Sequence, residues 1–371
     1  MPSSTTGLAF AAFATLCAAA SGASEAQAPA ADLQKFLEAT MVTALHDYGF
    51  PAAAAAIISS RDVHVVALGK RRVDLPDKVT LDDRFGLGSN TKAVTATMLG
   101  ALVERKVLRW DLQLAAAFPD MAMRPEYRAA TLRQILTHRA GLQPWTRAAD
   151  FERAKSFVTA DFVSGRIAFA ESVLAEPPVH PPGSETRYSN AGFSIASLIA
   201  EQATGKSWQE LITEYVLRPL RVEGSFGAPA ASDPHQPWGH SRATGKLEPV
   251  APTAALSAMQ GAGGLSLSIK EYSAFLQMHL RGLRGEDTKV LRSSTVRELH
   301  RPDGRYALGW GIQEYAGAKS SVHAGGNGQF YALVAIQPER DRAVAFLTND
   351  GGDDVEAQAS GVLKTLLAGP P

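Results

Sequence analysis

The chain has 371 residues, a length that at roughly 150 residues per domain suggests two or three domains or one large unit. Hydrophobic residues make up 45%, and 32 Gly with 21 Pro fall short of a disordered or collagen-like bias, so the chain is globular. The 37 Lys and Arg balance 37 Asp and Glu, which removes the electrostatic driver of nucleic-acid binding; the longest basic cluster, Lys70-Arg71-Arg72, reads as a solvated hairpin end.

Gly7 to Ala20 is a short apolar run followed by small residues at Ala23 and Ala26, the pattern of a secretory leader over 1–26 cleaved after one of those alanines. At about 14 residues the run is shorter than the roughly 20 that span a bilayer, so no permanent transmembrane anchor is expected. A periplasmic or secreted location follows. The single cysteine, Cys17, lies in this leader, which leaves the mature protein without a disulfide.

Helical spacing of Leu33, Leu37, Met41 and Leu45 predicts a helix from Asp32 to Tyr48. Ala52 to Ser60 and Val63 to Leu68 are apolar and separated by Ser60-Arg61-Asp62, a strand hairpin. A second helix is expected from Ser89 to about Arg105, and the middle of the chain stays mostly helical. Capping boxes at Ser207-x-x-Glu210 and Ser268-x-x-Glu271 open two of its helices, and Gly141 and Gly205 fit helix C-caps. Strands are expected at Tyr306 to Gln313, Phe330 to Ile336 and Arg342 to Thr348, then a helix from Asp354 to Leu367.

Three segments could carry chemistry. In Gly86-Leu87-Gly88-Ser89-Asn90-Thr91-Lys92, Ser89 stands where a glycine-punctuated turn enters a helix, and Lys92 lies on the same helical face. A serine hydroxyl needs such a partner to act as a nucleophile, and the helix N-terminus supplies amide donors for developing negative charge. Alone the spacing is weak, since on the order of one Ser-x-x-Lys is expected by chance. Tyr188-Ser189-Asn190 is rarer, expected roughly 0.09 times by chance. A phenol beside an ammonium is drawn toward phenolate and could take a serine proton, and the Asn190 amide could hold a substrate carbonyl. The plainer alternative is a loop tyrosine with an asparagine cap. His323-Ala324-Gly325-Gly326 either lets a ligand approach a strand edge, with a second oxyanion donor, or forms a simple turn.

In this order the three segments resemble the serine β-lactamase and penicillin-binding-protein superfamily, specifically its class C β-lactamase-related branch. Thr131 to His138 with Gly141-Leu142, Pro182-Gly183, and Tyr306-Ala307-Leu308-Gly309-Trp310-Gly311 match as well. The resemblance implies an α+β fold: an antiparallel sheet built from both chain ends and flanked by helices, with an inserted all-helical lobe. It divides 29–371 into a sheet lobe (about 29–105 and 303–371) and a helical lobe (about 106–302). It makes Ser89 the acylated nucleophile, Lys92 and Tyr188 its proton-transfer partners with the general base undecided, and Asn190, His323, Gly325 and Gly326 substrate-binding, with the Ser89 and Gly326 amides as the oxyanion hole. True class C enzymes place Lys-Thr-Gly where this chain has His323-Ala324-Gly325. A partly charged histidine and a missing hydroxyl favour ester or amide hydrolysis over efficient β-lactam cleavage.

The expected protein is therefore a serine hydrolase working on a small-molecule or peptide carbonyl, the alternative being a penicillin-binding or sensor module that acylates without turnover. Gly239-His240-Ser241-Arg242-Ala243 imitates a nucleophile elbow without the strand or the final glycine. His235 and His240 read as solvated and His138 as structural. No zinc-spaced ligand set, phosphate loop or dinucleotide fingerprint is found, so neither metal nor cofactor is expected.

Overall fold

The computed structural model describes residues 30–159, 161–252 and 257–370. The leader reading falls outside them. Among the described residues no helix is long and apolar enough to cross a membrane.

Six strands form one antiparallel sheet: β1 (Ala52–Ile58), β2 (Val63–Gly69), β3 (Gly311–Tyr315), β4 (Ala318–Gly326), β5 (Tyr331–Gln337) and β6 (Arg342–Thr348), in the order β2-β1-β6-β5-β4-β3. The N-terminal hairpin thus pairs with the C-terminal strand, Ala55 facing Phe346. Five alanines in β1 are poor strand formers by propensity, yet both faces of this strand are buried. Ala53, Ala55 and Ile57 pack with α1 (Ala30–Tyr48) and α6 (Val355–Ala368); Ala54, Ala56 and Ile58 join the larger core on the other face. Small side chains there let helices approach the sheet from both sides.

That larger core is built on α2 (Thr91–Glu104), whose first twelve residues are all buried, together with α4 (Asn190–Thr204) and α5 (Ile269–Leu283). The capping boxes at Ser207 and Ser268 form as expected, Gly205 caps α4 in the left-handed region, and a further box, Thr131 with Gln134, opens α3 (Leu132–Leu136).

Three expectations are corrected. Gly141 does not cap a helix: α3 ends at Thr137, and Gly141 adopts φ +73° where a Cβ would lie 2.4 Å from the His180 carbonyl oxygen. The strand expected from Tyr306 starts only at Gly311, because Gly309, with φ +86°, turns the chain tightly over Ala93. His240 is fully buried rather than solvated; its Nε2 accepts from the Val73 amide at 3.0 Å and its ring Nδ1 bonds the Asn349 carbonyl.

Candidate active site

Ser89 sits in a short 3-10 turn, Gly88–Asn90, that runs into α2. One helical turn on, Lys92 points back at it, Nζ to Oγ 3.0 Å. Tyr188 lies just before α4, whose N-cap Ser189 accepts from the Gly192 amide, and its phenol donates to Ser89 Oγ at 2.8 Å. Residues 99 positions apart thereby converge on one hydroxyl, because α2 and α4 pack side by side in the core.

Lys92 is fully buried, and its Nζ donates to Asn190 Oδ1 at 2.7 Å and to the Ala262 carbonyl at 2.8 Å. Both acceptors are held in place. Asn190 Nδ2 donates to the Trp145 carbonyl at 2.7 Å. The Gly261-Ala262 turn is held by Thr95 Oγ1, which donates to the Gly261 carbonyl and receives the Trp208 indole N–H. No carboxylate offsets this burial, so desolvation drives the Lys92 pKa well below the ordinary lysine value. Three oxygens, those of Ser89, Asn190 and Ala262, surround Nζ; loss of its extra proton would leave two N–H bonds to Asn190 and Ala262 and a lone pair toward Ser89.

Tyr188 departs from the expected phenolate. Burial raises its pKa, and the Ser89 hydrogen bond opposes that shift only weakly. With burial the larger influence, the phenol keeps its proton and donates it in the bond to Ser89 Oγ.

The third segment is a strand end, not a turn. β3 pairs with β4 only as far as Val322, so beyond that point the outer edge of β4 is open to the Ser89 turn. Gly325 makes that approach possible: a Cβ there would lie 2.3 Å from the Leu87 carbonyl oxygen and 2.5 Å from the Ser89 nitrogen. The Asn327 amide donates to the Phe330 carbonyl and closes the β4–β5 hairpin. Ladder alternation then makes Gly326–Tyr331 a non-hydrogen-bonded pair, with the Gly326 amide turned away from β5. Ser89, in the first turn of its helix, has no intrahelical acceptor for its own amide. The two amides thus belong to the segments that Gly88 and Gly325 bring into close contact beside the Ser89 hydroxyl.

His323 lies behind the site rather than in it. It is buried, its Nε2 accepts from the Tyr306 hydroxyl at 2.7 Å, and Nδ1 donates to the Ala324 carbonyl at 2.9 Å. Burial pushes its pKa down to about 3, so it is neutral rather than partly charged. The cleft in front of Ser89 has a volume of about 930 Å³ and is lined by Tyr188, Asn190 and Gly326, with Phe151 and Met259 on its walls. The charged side chains lining it, Glu152 and Lys155, pair with each other at 2.7 Å.

Sequence reasoning named Ser89, Lys92, Tyr188, Asn190, Gly325 and Gly326, and the fold brings all six together. It missed the carbonyls of Ala262 and Trp145 and the Tyr306 hydroxyl. Backbone oxygens carry no residue signature, and Tyr306 was visible only as part of a matching stretch.

The chain is 25% identical over 325 residues to penicillin-binding protein 4 of Amycolatopsis lactamdurans, covering 82% of each chain. It is 26% identical over 341 residues to the unguisins hydrolase ungD' of Aspergillus campestris, covering 85% of this chain and 61% of that protein. Among solved structures, the octameric penicillin-binding protein homologue from Pyrococcus abyssi superposes with a TM-score of 0.74 at 25% identity, over 90% of this chain and 77% of the other. The Beta-lactamase family model matches residues 31–367. Since that match takes in the sheet strands from both chain ends, the helices between them and every side chain around Ser89, the chain belongs to the Beta-lactamase family.

Proposed function

We propose that this protein is a serine hydrolase of the class C β-lactamase-related type, turning over an ester or amide through an acyl-serine at Ser89. The observation that carries this reading is the convergence of Lys92 Nζ and the Tyr188 hydroxyl on one serine oxygen, at 3.0 and 2.8 Å. The Lys92 amine takes the Ser89 proton as Oγ attacks the substrate carbonyl. The Ser89 and Gly326 amides receive the developing oxyanion. The proton then passes from Lys92 to the leaving group by way of the Tyr188 hydroxyl, which can donate without ionising. Water deacylates the enzyme over the same pair in reverse.

An uncharged substrate suits the cleft. His323 is neutral and engaged with Tyr306, and Lys155 is paired with Glu152, so a free carboxylate beside the scissile bond would meet no unpaired side-chain cation among the described lining residues. One relative carries the name of a hydrolase, which supports turnover. We further propose that the protein acts outside the cytoplasm after cleavage of its leader; the exported form would begin at Ser24 or Gln27.

The test compares the mature protein with Ser89→Ala on a p-nitrophenyl ester and a chromogenic cephalosporin, following turnover and intact mass together. Ester turnover with a transient adduct, both lost in the variant, supports the reading. Equal activity in Ser89→Ala sinks it, a stable adduct without turnover makes the protein a penicillin-binding or sensor module, and preference for the cephalosporin overturns the substrate class.

A further inference from the structure

We propose that His138 is a positioning residue for Tyr188, fixing through one backbone and one side-chain acceptor the segment that aims the phenol at Ser89. The proposal rests on the acyl-serine reading. His138 follows α3, and two successive acceptors of this single residue bracket Tyr188. The Arg187 amide donates to the His138 carbonyl at 2.8 Å, and the Ser189 amide donates to His138 Nδ1 at 3.1 Å. The histidine thus does the work of a neighbouring strand where the chain has none.

Two features of His138 make sense only in that role. Its backbone has φ +59°, a left-handed conformation that non-glycine residues seldom adopt, and this turn presents both acceptors to the same segment. Because Nδ1 accepts, the ring proton of the neutral side chain must sit on Nε2, which is buried and meets no hydrogen-bonding partner among the described residues. The ring instead packs between Tyr188, centroids 4.4 Å apart, and Tyr306, 4.5 Å apart, with Phe193 at 5.5 Å. Burial keeps the ring neutral and so preserves the acceptor. A leucine could fill this space, but it could not receive the Ser189 amide.

The experiment compares His138→Asn and His138→Leu with wild type. Asparagine carries Oδ1 on Cγ as histidine carries Nδ1, and it tolerates positive φ; leucine supplies volume and no acceptor. Ester turnover and the rate of Ser89 labelling by a fluorophosphonate are measured. His138→Leu is expected to lose on the order of 10²-fold in kcat with KM within about threefold of wild type, and His138→Asn to regain at least about tenfold. Wild-type kcat in His138→Leu, or no rescue by asparagine, would overturn the proposal. Nitrogen-15 NMR of the wild-type His138 ring gives a readout independent of catalysis and of how the variants fold: protonation on Nε2 is expected, and protonation on Nδ1 overturns the assignment. A wild-type protein that neither labels nor turns over would sink the acyl-serine reading alone, with the tautomer still deciding His138.

Discussion

Gly325→Ala asks whether the contact between β4 and the Ser89 turn sets the oxyanion hole. The added Cβ would stand 2.3 Å from the Leu87 carbonyl oxygen, 2.5 Å from the Ser89 nitrogen and 2.9 Å from the Asn90 nitrogen, against about 3.4 Å for ordinary contact. All three obstructions are backbone atoms, so no rotamer change relieves them. The Ser89 turn and β4 must part by about 1 Å, a displacement that can cost on the order of 10²-fold when it misplaces reacting groups. Loss of one oxyanion donor alone costs about 10²- to 10³-fold in kcat. Overpacking adds about 1–3 kcal/mol of destabilisation, small enough to leave a folded domain of this size. Single-turnover acylation by a p-nitrophenyl ester, with thermal melts in parallel, should therefore show acylation at least about 10²-fold slower in a protein that still melts cooperatively. Gly326→Ala is the control: its Cβ would meet the Tyr331 ring at 3.2 Å, and the residue keeps its amide donor, so a loss under about tenfold is expected. A Gly325→Ala variant at the wild-type rate, or a Gly326→Ala variant slower than it, would refute the reasoning.

Lys92 must be the amine to accept the Ser89 proton, so acylation should rise with pH across its lowered pKa and level off below the range of an ordinary lysine; Lys92→Met, which fills the buried site without an amine, should be inactive, and a flat profile would contradict the assignment. Tyr188→Phe removes only the donor at 2.8 Å and should cost about 10²- to 10⁴-fold in kcat, measured on the same ester; an unchanged kcat would make the phenol dispensable. His138, His279, His300 and His323 are all held below the ordinary histidine pKa by burial, His279 and His323 to about 3. The unfolded chain binds protons on these residues that the native one refuses, so their contribution is complete above the ordinary pKa of 6.5 and is lost as pH falls below it, by up to about 1.4 kcal/mol per pH unit for each histidine. Urea melts at pH 7 and pH 5 should show the loss; equal midpoints would sink the claim.

Patterning made the ends of the chain legible. α1, the β1–β2 hairpin and α6 follow the expected bounds to within two or three residues, because each buries an apolar face against the sheet. β4 was hidden for the opposite reason. Its Ala-Lys-Ser-Ser-Val-His-Ala-Gly-Gly sequence has no alternating apolar face, yet Ser320, Ser321 and His323 are buried there. Each is satisfied by a residue distant in sequence: Ser320 by Gln337, Ser321 by His300, His323 by Tyr306. Hydrogen bonds of that kind replace hydrophobicity as the reason a strand lies inside, and hydropathy cannot register them.

The same limit governs the site. Three segments taken together in their order, with the family they resemble, singled out Ser89, Lys92 and Tyr188, since side chains are what a sequence spells. The choice of base between Lys92 and Tyr188 was open because it depends on what surrounds them. Lys92 is buried with two neutral acceptors, Asn190 Oδ1 and the Ala262 carbonyl, and no carboxylate, so its charged form is disfavoured. Had either acceptor been an aspartate, the ammonium would have been stabilised and the Tyr188 phenol drawn toward ionisation, reversing the direction of proton transfer. Asn190→Asp makes that change at nearly constant volume, at the cost of the Nδ2 bond to the Trp145 carbonyl. It should place a charged Lys92 beside Ser89, raise the pH at which acylation begins and slow the reaction at neutrality. An unshifted pH profile in that variant would show that Lys92 is not the group whose proton matters.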